Sequence, residues 1–243
     1  MTGFILNSRP IEHRDRFHAA FDAAFAAAGC DTWRIVDCPV LTAEPLSLQM
    51  PAAGGFDVVV FTSQIAAALF PVSSAWAEKK VFAVGEATAN VARMEGFTHV
   101  IDTGKDVDDL RAYLSRTGFG QALYPSAEDI SADFTLDFAG RVQRVVTYRM
   151  VPRMGLGLDE LAPGWKTAPV IAPLFSRRSA ETLSDLLGKA LTEQAGSANI
   201  AAIGISADVL VDGPWKTKAA ADEPTLAAVA AASARIACNM TDK

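Results

Sequence analysis

Hydrophobic positions along this chain follow two alternating rhythms: short unbroken apolar runs, and longer stretches with apolar residues three or four apart. Residues 4–6 (FIL) form a first run. After Asn7-Ser8-Arg9-Pro10 comes a segment over 11–28 in which Phe17, Phe21 and Phe25 recur every four residues. That period sets three rings on one helical face, and Gly29 ends the helix where glycine is favoured. Residues 33–40 read as extended. Pro39 and Pro45 remove ladder donors there, so the pattern predicts a crossing segment rather than a central strand.

The middle of the chain repeats the alternation. Strands are predicted over 57–62, 80–84, 99–102 and 121–124, with helices over 64–70, 86–95, 106–116 and 129–139. Asp106, Asp108 and Asp109 lie in the first turn of the third helix, the end that favours negative charge. Residues 141–151 make a long extended run, and 155–167, rich in Gly and Pro, read as a loop. A strand over 170–176, a helix starting near Arg178, a strand over 200–204 and an Ala-rich helix over 224–238 complete the pattern.

One module is spelled twice. Residues 57–63 (DVVVFTS) run into a helix, and 81–85 (VFAVG) lead to Glu86-Ala87-Thr88-Ala89. Residues 170–176 (VIAPLFS) likewise run into a helix, and 200–204 (IAAIG) lead to Ile205-Ser206-Ala207. Each copy is a buried strand ending in hydroxyl residues at a helix start, then a second strand ending in Gly at another helix start. Small hydroxyls and exposed amides at strand ends suit an anionic ligand.

Alternating strands and helices of these lengths predict an α/β fold with parallel sheets covered on both faces. The expected architecture is two doubly wound lobes, flavodoxin-like or Rossmann-like. The N-terminal βα unit is too small to bury its own core, so it is paired with the C-terminal block. This gives lobe 1 as 1–37 with 151–243 and lobe 2 as the inserted 38–150, with linker strands near 34–42 and 144–153.

At 243 residues the chain is long enough for two such lobes. Half of it is apolar and 21% charged, with a net charge of −6 and no Lys/Arg block, so there is no footprint for nucleic acid. No apolar run is long enough to span a bilayer, and the N-terminus lacks the charged and apolar regions of a secretory signal. Cys30, Cys38 and Cys238 are odd in number and lack metal spacing, so three free thiols in a reducing cytosol are expected. The expected location is the cytoplasm.

Other chemistries find no support. No G-x-S-x-G surrounds a serine, and the histidines are His13, His18 and His99, which argues against a hydrolase triad. His13 and His18 are spaced by five, a poor metal pair, so no metal is expected. Neither a dinucleotide glycine motif nor a phosphate-binding P-loop is present. A sugar or nucleotide-sugar enzyme would need carboxylates or histidine at strand ends that instead carry Ser and Thr.

In sequence order, Ser8-Arg9-Pro10, Phe61-Thr62-Ser63-Gln64, Ala83-Val84-Gly85-Glu86-Ala87-Thr88-Ala89, Val145–Tyr148, Phe175-Ser176 with Ser179-Ala180, and Ile203-Gly204-Ile205-Ser206-Ala207 resemble the motifs of the uroporphyrinogen-III synthase family. The likeness covers about residues 4–236. Each motif is short; their order and spacing carry the likeness.

The resemblance implies two α/β lobes joined by a two-stranded linker, with the substrate between them. The reaction it implies closes hydroxymethylbilane, a linear tetrapyrrole polycarboxylate, to uroporphyrinogen III with D-ring inversion and loss of water. It is a lyase step of heme biosynthesis that uses no cofactor. A monomer is expected, with transient contact with the preceding hydroxymethylbilane-forming enzyme and no nucleic-acid or membrane partner. The alternative is a non-catalytic or degenerate two-lobe homologue that binds a carboxylate-rich small molecule.

The resemblance makes Tyr148 the general acid; without it, Tyr148 reads as a tyrosine packed in a linker strand. Arg9, Thr62, Ser63, Gln64, Thr88, Ser176, Arg177, Ser179, Gly204 and Ser206 are the expected substrate contacts. Ser63 is equally well read as an ordinary N-cap, and Arg177 or Arg178 as a solvated helix-start residue. Gly204 is expected to be small so that ligand can approach the backbone. The chain departs from the family pattern at Ala207, which loses a hydroxyl, at Ser126-Ala127-Glu128, which stands where Arg-Gly is usual, and at Arg178, which replaces Pro.

Overall fold

The structure, a computed structural model, describes residues 2–30, 32–47, 50–130, 133–138, 140–192 and 198–241. In chain order the elements begin with β1 (Gly3–Asn7), α1 (Arg14–Ala27), β2 (Trp33–Asp37) and β3 (Leu41–Pro45). The middle holds β4 (Val58–Phe61), α2 (Gln64–Ala68), α3 (Ser74–Ala77), β5 (Lys80–Ala83), α4 (Glu86–Met94), β6 (His99–Asp102), α5 (Val107–Thr117) and β7 (Ala122–Ala127). β8 (Val142–Pro152), α6 (Leu158–Leu161), β9 (Pro169–Leu174), α7 (Arg177–Thr192), β10 (Asn199–Gly204), β11 (Thr217–Ala220) and α8 (Leu226–Thr241) complete the chain.

The chain divides into two compact units. Unit 1 is Met1–Thr42 with Pro152–Lys243, and unit 2 is Ala43–Val151. The sequence expectation put the first boundary at 37/38. The chain stays with unit 1 a few residues longer because Cys38 and Val40 donate their backbone N–H to Asn7 and Ser8 carbonyls, and Arg153 donates to Val40.

Unit 1 holds a five-stranded sheet in the order β11-β10-β9-β1-β2, with every neighbouring pair parallel. Counted within the unit this is the 2-1-3-4-5 order of flavodoxin-like folds, reversing direction between β1 and β9. One face packs on α7 around Leu6, Trp165, Leu174 and Leu187. The other packs on α1 and α8 around Phe17, Phe21, Phe25 and Val229. The expected phenylalanine row is thus core, with Phe17 and Phe21 stacked at 4.0 Å between centroids.

Unit 2 holds a six-stranded sheet in the order β3-β8-β7-β4-β5-β6. From β8 to β6 the neighbours are parallel. Counting β4 to β8 as one to five gives 3-2-1-4-5, the Rossmann half-order, which reverses between β4 and β7. One face gathers Val59, Phe61, Leu123 and Tyr148. The other gathers Val58, Val60, Leu110, Leu114 and Tyr124. The chain crosses the unit boundary in β3 and β8, hydrogen-bonded neighbours tied by an Arg149–Glu44 ion pair at 3.0 Å.

Several expectations are corrected. The region 33–40 is not a crossing segment: β2 is the edge strand beside β1, and Pro39 falls in the gap before β3 joins the other sheet. Of the helix expected over 129–139, residues 131, 132 and 139 lie outside the described residues. Within the rest, Phe134–Phe138 form only a 3-10 turn, closed by hydrogen bonds of Thr135 to Asp133. The helix expected after Gly204 is likewise a single 3-10 turn, Ala207–Val209, with Gly213-Pro214 soon after to prevent its extension. The 155–167 loop contains α6, which buries Leu158 beside Trp165.

The cysteine expectation also changes. Packing of α1 against α8 brings Cys30 and Cys238 together as a disulfide across 208 residues of sequence, leaving Cys38 as a buried free thiol.

Candidate functional site

In unit 2 the strand-to-helix turn after β4 acts on both faces of the sheet. Side chains alternate along a strand, so Val58, Val60 and Thr62 point one way and Val59, Phe61 and Ser63 the other. Ser63 caps α2, its Oγ accepting the Ile65 N–H at 3.1 Å. That oxygen also lies 3.1 Å from the Tyr148 hydroxyl. On the opposite face the Thr62 hydroxyl lies 3.1 Å from the Tyr124 hydroxyl.

Tyr148 reaches this position through an irregularity in β8. Ser126 pairs with Val146 but Ala127 pairs with Tyr148, so Thr147 is the extra residue of a bulge. A bulge shifts the alternation by one residue and re-aims the side chains beyond it. Before it, Val145 packs on the face of β4 that carries Phe61; after it, Tyr148 does so too.

The two phenols, Thr62, Ser63, Val107, Ser126, Ala127, Asp129 and Ile130 line a recess of about 220 Å³. It lies at the C-terminal ends of β4 and β7, where the sheet order reverses, the usual ligand position in open α/β sheets. Arg144 fastens its wall, donating from Nε to Ser126 Oγ at 2.8 Å and from Nη2 to the Ala127 and Glu128 carbonyls at 2.7 and 2.8 Å. Arg144 thus ties the Ser126-Ala127-Glu128 turn to the neighbouring strand. Burial pushes the Tyr124 phenol above its ordinary pKa, against the lowering influence of the Thr62 hydrogen bond and the Arg144 charge. At neutral pH it stays protonated and can donate.

Elsewhere in unit 2, Gly85 adopts φ +83° at the start of α4, a conformation that favours glycine. Thr88 is buried one turn into that helix, and Gln64 is half-buried at the start of α2. Neither lines the recess.

Unit 1 reverses its strand order between β1 and β9; Arg9 follows β1, Ser176, Arg177 and Ser179 follow β9, and Gly204 and Ser206 stand at the end of the next strand, β10. The Arg9 guanidinium stacks on Phe175, 4.6 Å from the ring centroid, and its pKa is lowered by burial and by nearby Arg16. Ser176 Oγ accepts the Ser179 N–H at 3.2 Å and donates to Ser179 Oγ at 3.0 Å, so both hydroxyls serve the start of α7. Arg177 is exposed and pairs with Glu181 one turn along, Nε to Oε1 2.9 Å. Ser206 is half-buried after β10. A Cβ on Gly204 would lie 2.6 Å from the Ser206 carbonyl oxygen, so the loop's own fold accounts for the glycine.

Two features here were not read from the sequence. Asp37, at the end of β2, takes hydrogen bonds from Asn7 Nδ2 at 2.7 Å and His18 Nε2 at 3.0 Å, and an Arg14 Nε contact at 2.9 Å. Burial works to raise its pKa, yet these hydrogen bonds and charges hold it below the usual carboxylate value. His13 is pushed down to about 4 by burial and by the charges of Arg9 and Arg16. Tyr124 and Arg144 were also missed, because neither lies in the doubled module. The alternation of β7 was the available signal, since it sets Tyr124 and Ser126 on one face. Among the described residues no cluster of His, Cys, Asp or Glu could hold a metal ion, and no helix is long and apolar enough to cross a membrane.

The family model for uroporphyrinogen-III synthase HemD matches residues 20–231. No curated protein sequence matches the chain. Among solved structures, uroporphyrinogen-III synthetase of Helicobacter pylori aligns over 97% of this chain and 100% of its own, with TM-score 0.55 and 15% identity. A mutant uroporphyrinogen III synthase of Thermus thermophilus aligns over 98% and 99%, with TM-score 0.44 and 15% identity. The family model spans most of the chain, and the chain belongs to the uroporphyrinogen-III synthase family.

Proposed function

We propose that this chain closes hydroxymethylbilane to uroporphyrinogen III, inverting ring D and releasing one water. The observation that carries the reading is the Tyr148 hydroxyl held on Ser63 in a polar recess at the reversal point of the unit 2 sheet. Family membership supports the substrate class. A volume of about 220 Å³ is below the usual range for a whole ligand, so the recess takes the reacting end of the tetrapyrrole rather than all of it.

The chemistry asks for little covalent help. Tyr148 donates a proton to the terminal hydroxyl, which leaves as water and gives an azafulvenium cation. The substituted carbon of ring D attacks it to form a spiro intermediate. That intermediate reopens and recloses at the other position of the ring, and the proton lost on closure returns to the phenolate. The balance is one water lost, with no cofactor. Positioning supplies the larger share of the acceleration, and general-acid help is worth ~10²–10⁴-fold.

Thr62, Ser63, Gln64 and Thr88 are the proposed carboxylate and hydroxyl contacts in unit 2. Arg9, Ser176, Arg177, Ser179, Gly204 and Ser206 are the proposed set in unit 1. Arg9 is the strongest of these, because a half-desolvated guanidinium next to Arg16 gains most from an incoming carboxylate. The same reading has the chain acting as a cytoplasmic monomer.

The test couples the purified protein to freshly generated hydroxymethylbilane and separates the oxidised products by isomer. Type III is expected. Type I alone, the product of spontaneous closure, overturns the activity and leaves a homologue that only binds.

A further inference from the structure

Two phenols, not one, reach the recess, and they arrive from opposite faces of the same sheet. Tyr148 belongs to the apolar layer containing Phe61, and Tyr124 to the layer containing Val60 and Phe134. Consecutive residues of one strand end, Thr62 and Ser63, each bond one of them at 3.1 Å. Their holders differ. Ser63 also caps α2, whereas the Thr62 hydroxyl, among the described residues, is engaged with Tyr124.

The Tyr124 ring is fixed independently of any ligand. It packs on Phe134 at 4.7 Å between centroids, and Arg144 faces it across the β7–β8 pairing. Arg144 is in turn committed to Ser126 and two loop carbonyls on the same edge. A buried aromatic ring needs no hydroxyl for its own packing, and a buried hydroxyl is costly unless partnered. Here the hydroxyl is retained, partnered and placed on the wall of a recess that Asp129 also lines, with Arg144 paired beside it on the neighbouring strand.

The geometry points to Tyr124 as a second ligand-contacting phenol, one that bonds a carboxylate of the ligand and so fixes the ligand's orientation at Tyr148. This rests on the reading that the reacting end of a polycarboxylate tetrapyrrole enters the recess. Arg144 is the positioning residue that holds the wall against which Tyr124 stands.

The test is calorimetric binding of uroporphyrin III, a product-like octacarboxylate, to the unaltered protein and to Tyr124→Phe, Thr62→Val and Tyr113→Phe. Loss of one such hydrogen bond raises Kd about 3- to 10-fold in the first two variants. Tyr113 lies outside the recess, and its variant keeps the original Kd. In Tyr124→Phe combined with Thr62→Val the loss is less than the sum of the two single losses, because part of the Thr62 contribution acts through Tyr124. Melting curves for each variant separate lost contact from lost folding.

A Kd within about twofold of the unaltered value in Tyr124→Phe, less than the loss of one such bond, overturns the assignment, as does failure of the unaltered protein to bind uroporphyrin III. The isomer assay decides the activity separately. A protein that makes only type I yet loses uroporphyrin affinity on Tyr124→Phe keeps this role for the phenol and loses the activity.

Discussion

The Tyr148 hydroxyl and Ser63 Oγ lie 3.1 Å apart although 85 residues separate them in sequence. A parallel sheet brings them together: β8 and β4 flank β7, and the β8 bulge at Thr147 turns Tyr148 toward the strand end that Ser63 occupies. The contact joins the general acid of the proposed reaction to the cap of a helix, so chemistry and local folding share one hydroxyl.

Tyr148→Phe keeps the ring and its packing and removes only the proposed acid. Turnover of hydroxymethylbilane to the type III isomer is expected to fall about 100-fold or more, with the melting temperature within a few degrees of the original. Initial rates and thermal melts check this. Unchanged turnover removes Tyr148 from the mechanism.

Ser63→Ala removes both the cap on Ile65 N–H and a hydrogen-bond partner of the Tyr148 phenol. A lost N-cap costs about 1 kcal/mol, so the urea midpoint should fall modestly. Activity should fall with it, because the Tyr148 hydroxyl loses its hydrogen bond to Ser63. Ser63→Gly tolerates the cap position better, and an activity loss there with near-normal stability isolates the phenol's dependence on Ser63.

His13 gives a pH signature. Its folded pKa, about 4, is below the ordinary value of 6.5, so as pH falls the unfolded chain takes up this proton first. Its contribution to stability is present above pH 6.5 and is lost as pH falls toward 4. Denaturation midpoints measured across that window should decline less in His13→Gln. Parallel pH curves for the two proteins would exclude the effect.

The disulfide and the remaining thiol make a separable prediction. Reducing Cys30–Cys238 should lower stability by about 2–4 kcal/mol, read as a shift in urea midpoint with and without a phosphine reductant. Cys38 is pushed up to about 12, first by burial and then by Asp37. It should react with a thiol reagent only on unfolding, and rapid labelling of the folded protein would contradict its burial. Because the folded pKa is raised, the stability from keeping this thiol neutral is complete below pH 9 and is lost as pH climbs toward 12.

Much of this arrangement is local enough to be legible in the chain. A contiguous valine run ending in Thr-Ser has one good solution, a buried parallel strand handing over to a capped helix. Phe17, Phe21 and Phe25 likewise have one face to share. Where the chain's pattern and its structure part, local signals are weak or misleading. Thr217–Ala220 is short, mostly exposed and barely apolar, so β11 leaves no pattern. Residues 205–212 resemble a helix start but meet Gly213-Pro214 before a longer helix can form.

By itself, then, the sequence determined the strands of the doubled module, the phenylalanine face of α1 and the hydroxyls at the strand ends, because each depends on periodicity or on residues adjacent in the chain. Only the tertiary structure decided which residues meet at those ends. Strand order places β4 beside β7, a one-residue bulge sets the facing of Tyr148, and Arg144 reaches from a neighbouring strand to fasten the turn after β7. Strand order and bulge register come from side-chain packing across the whole sheet, and no local window of sequence contains that packing.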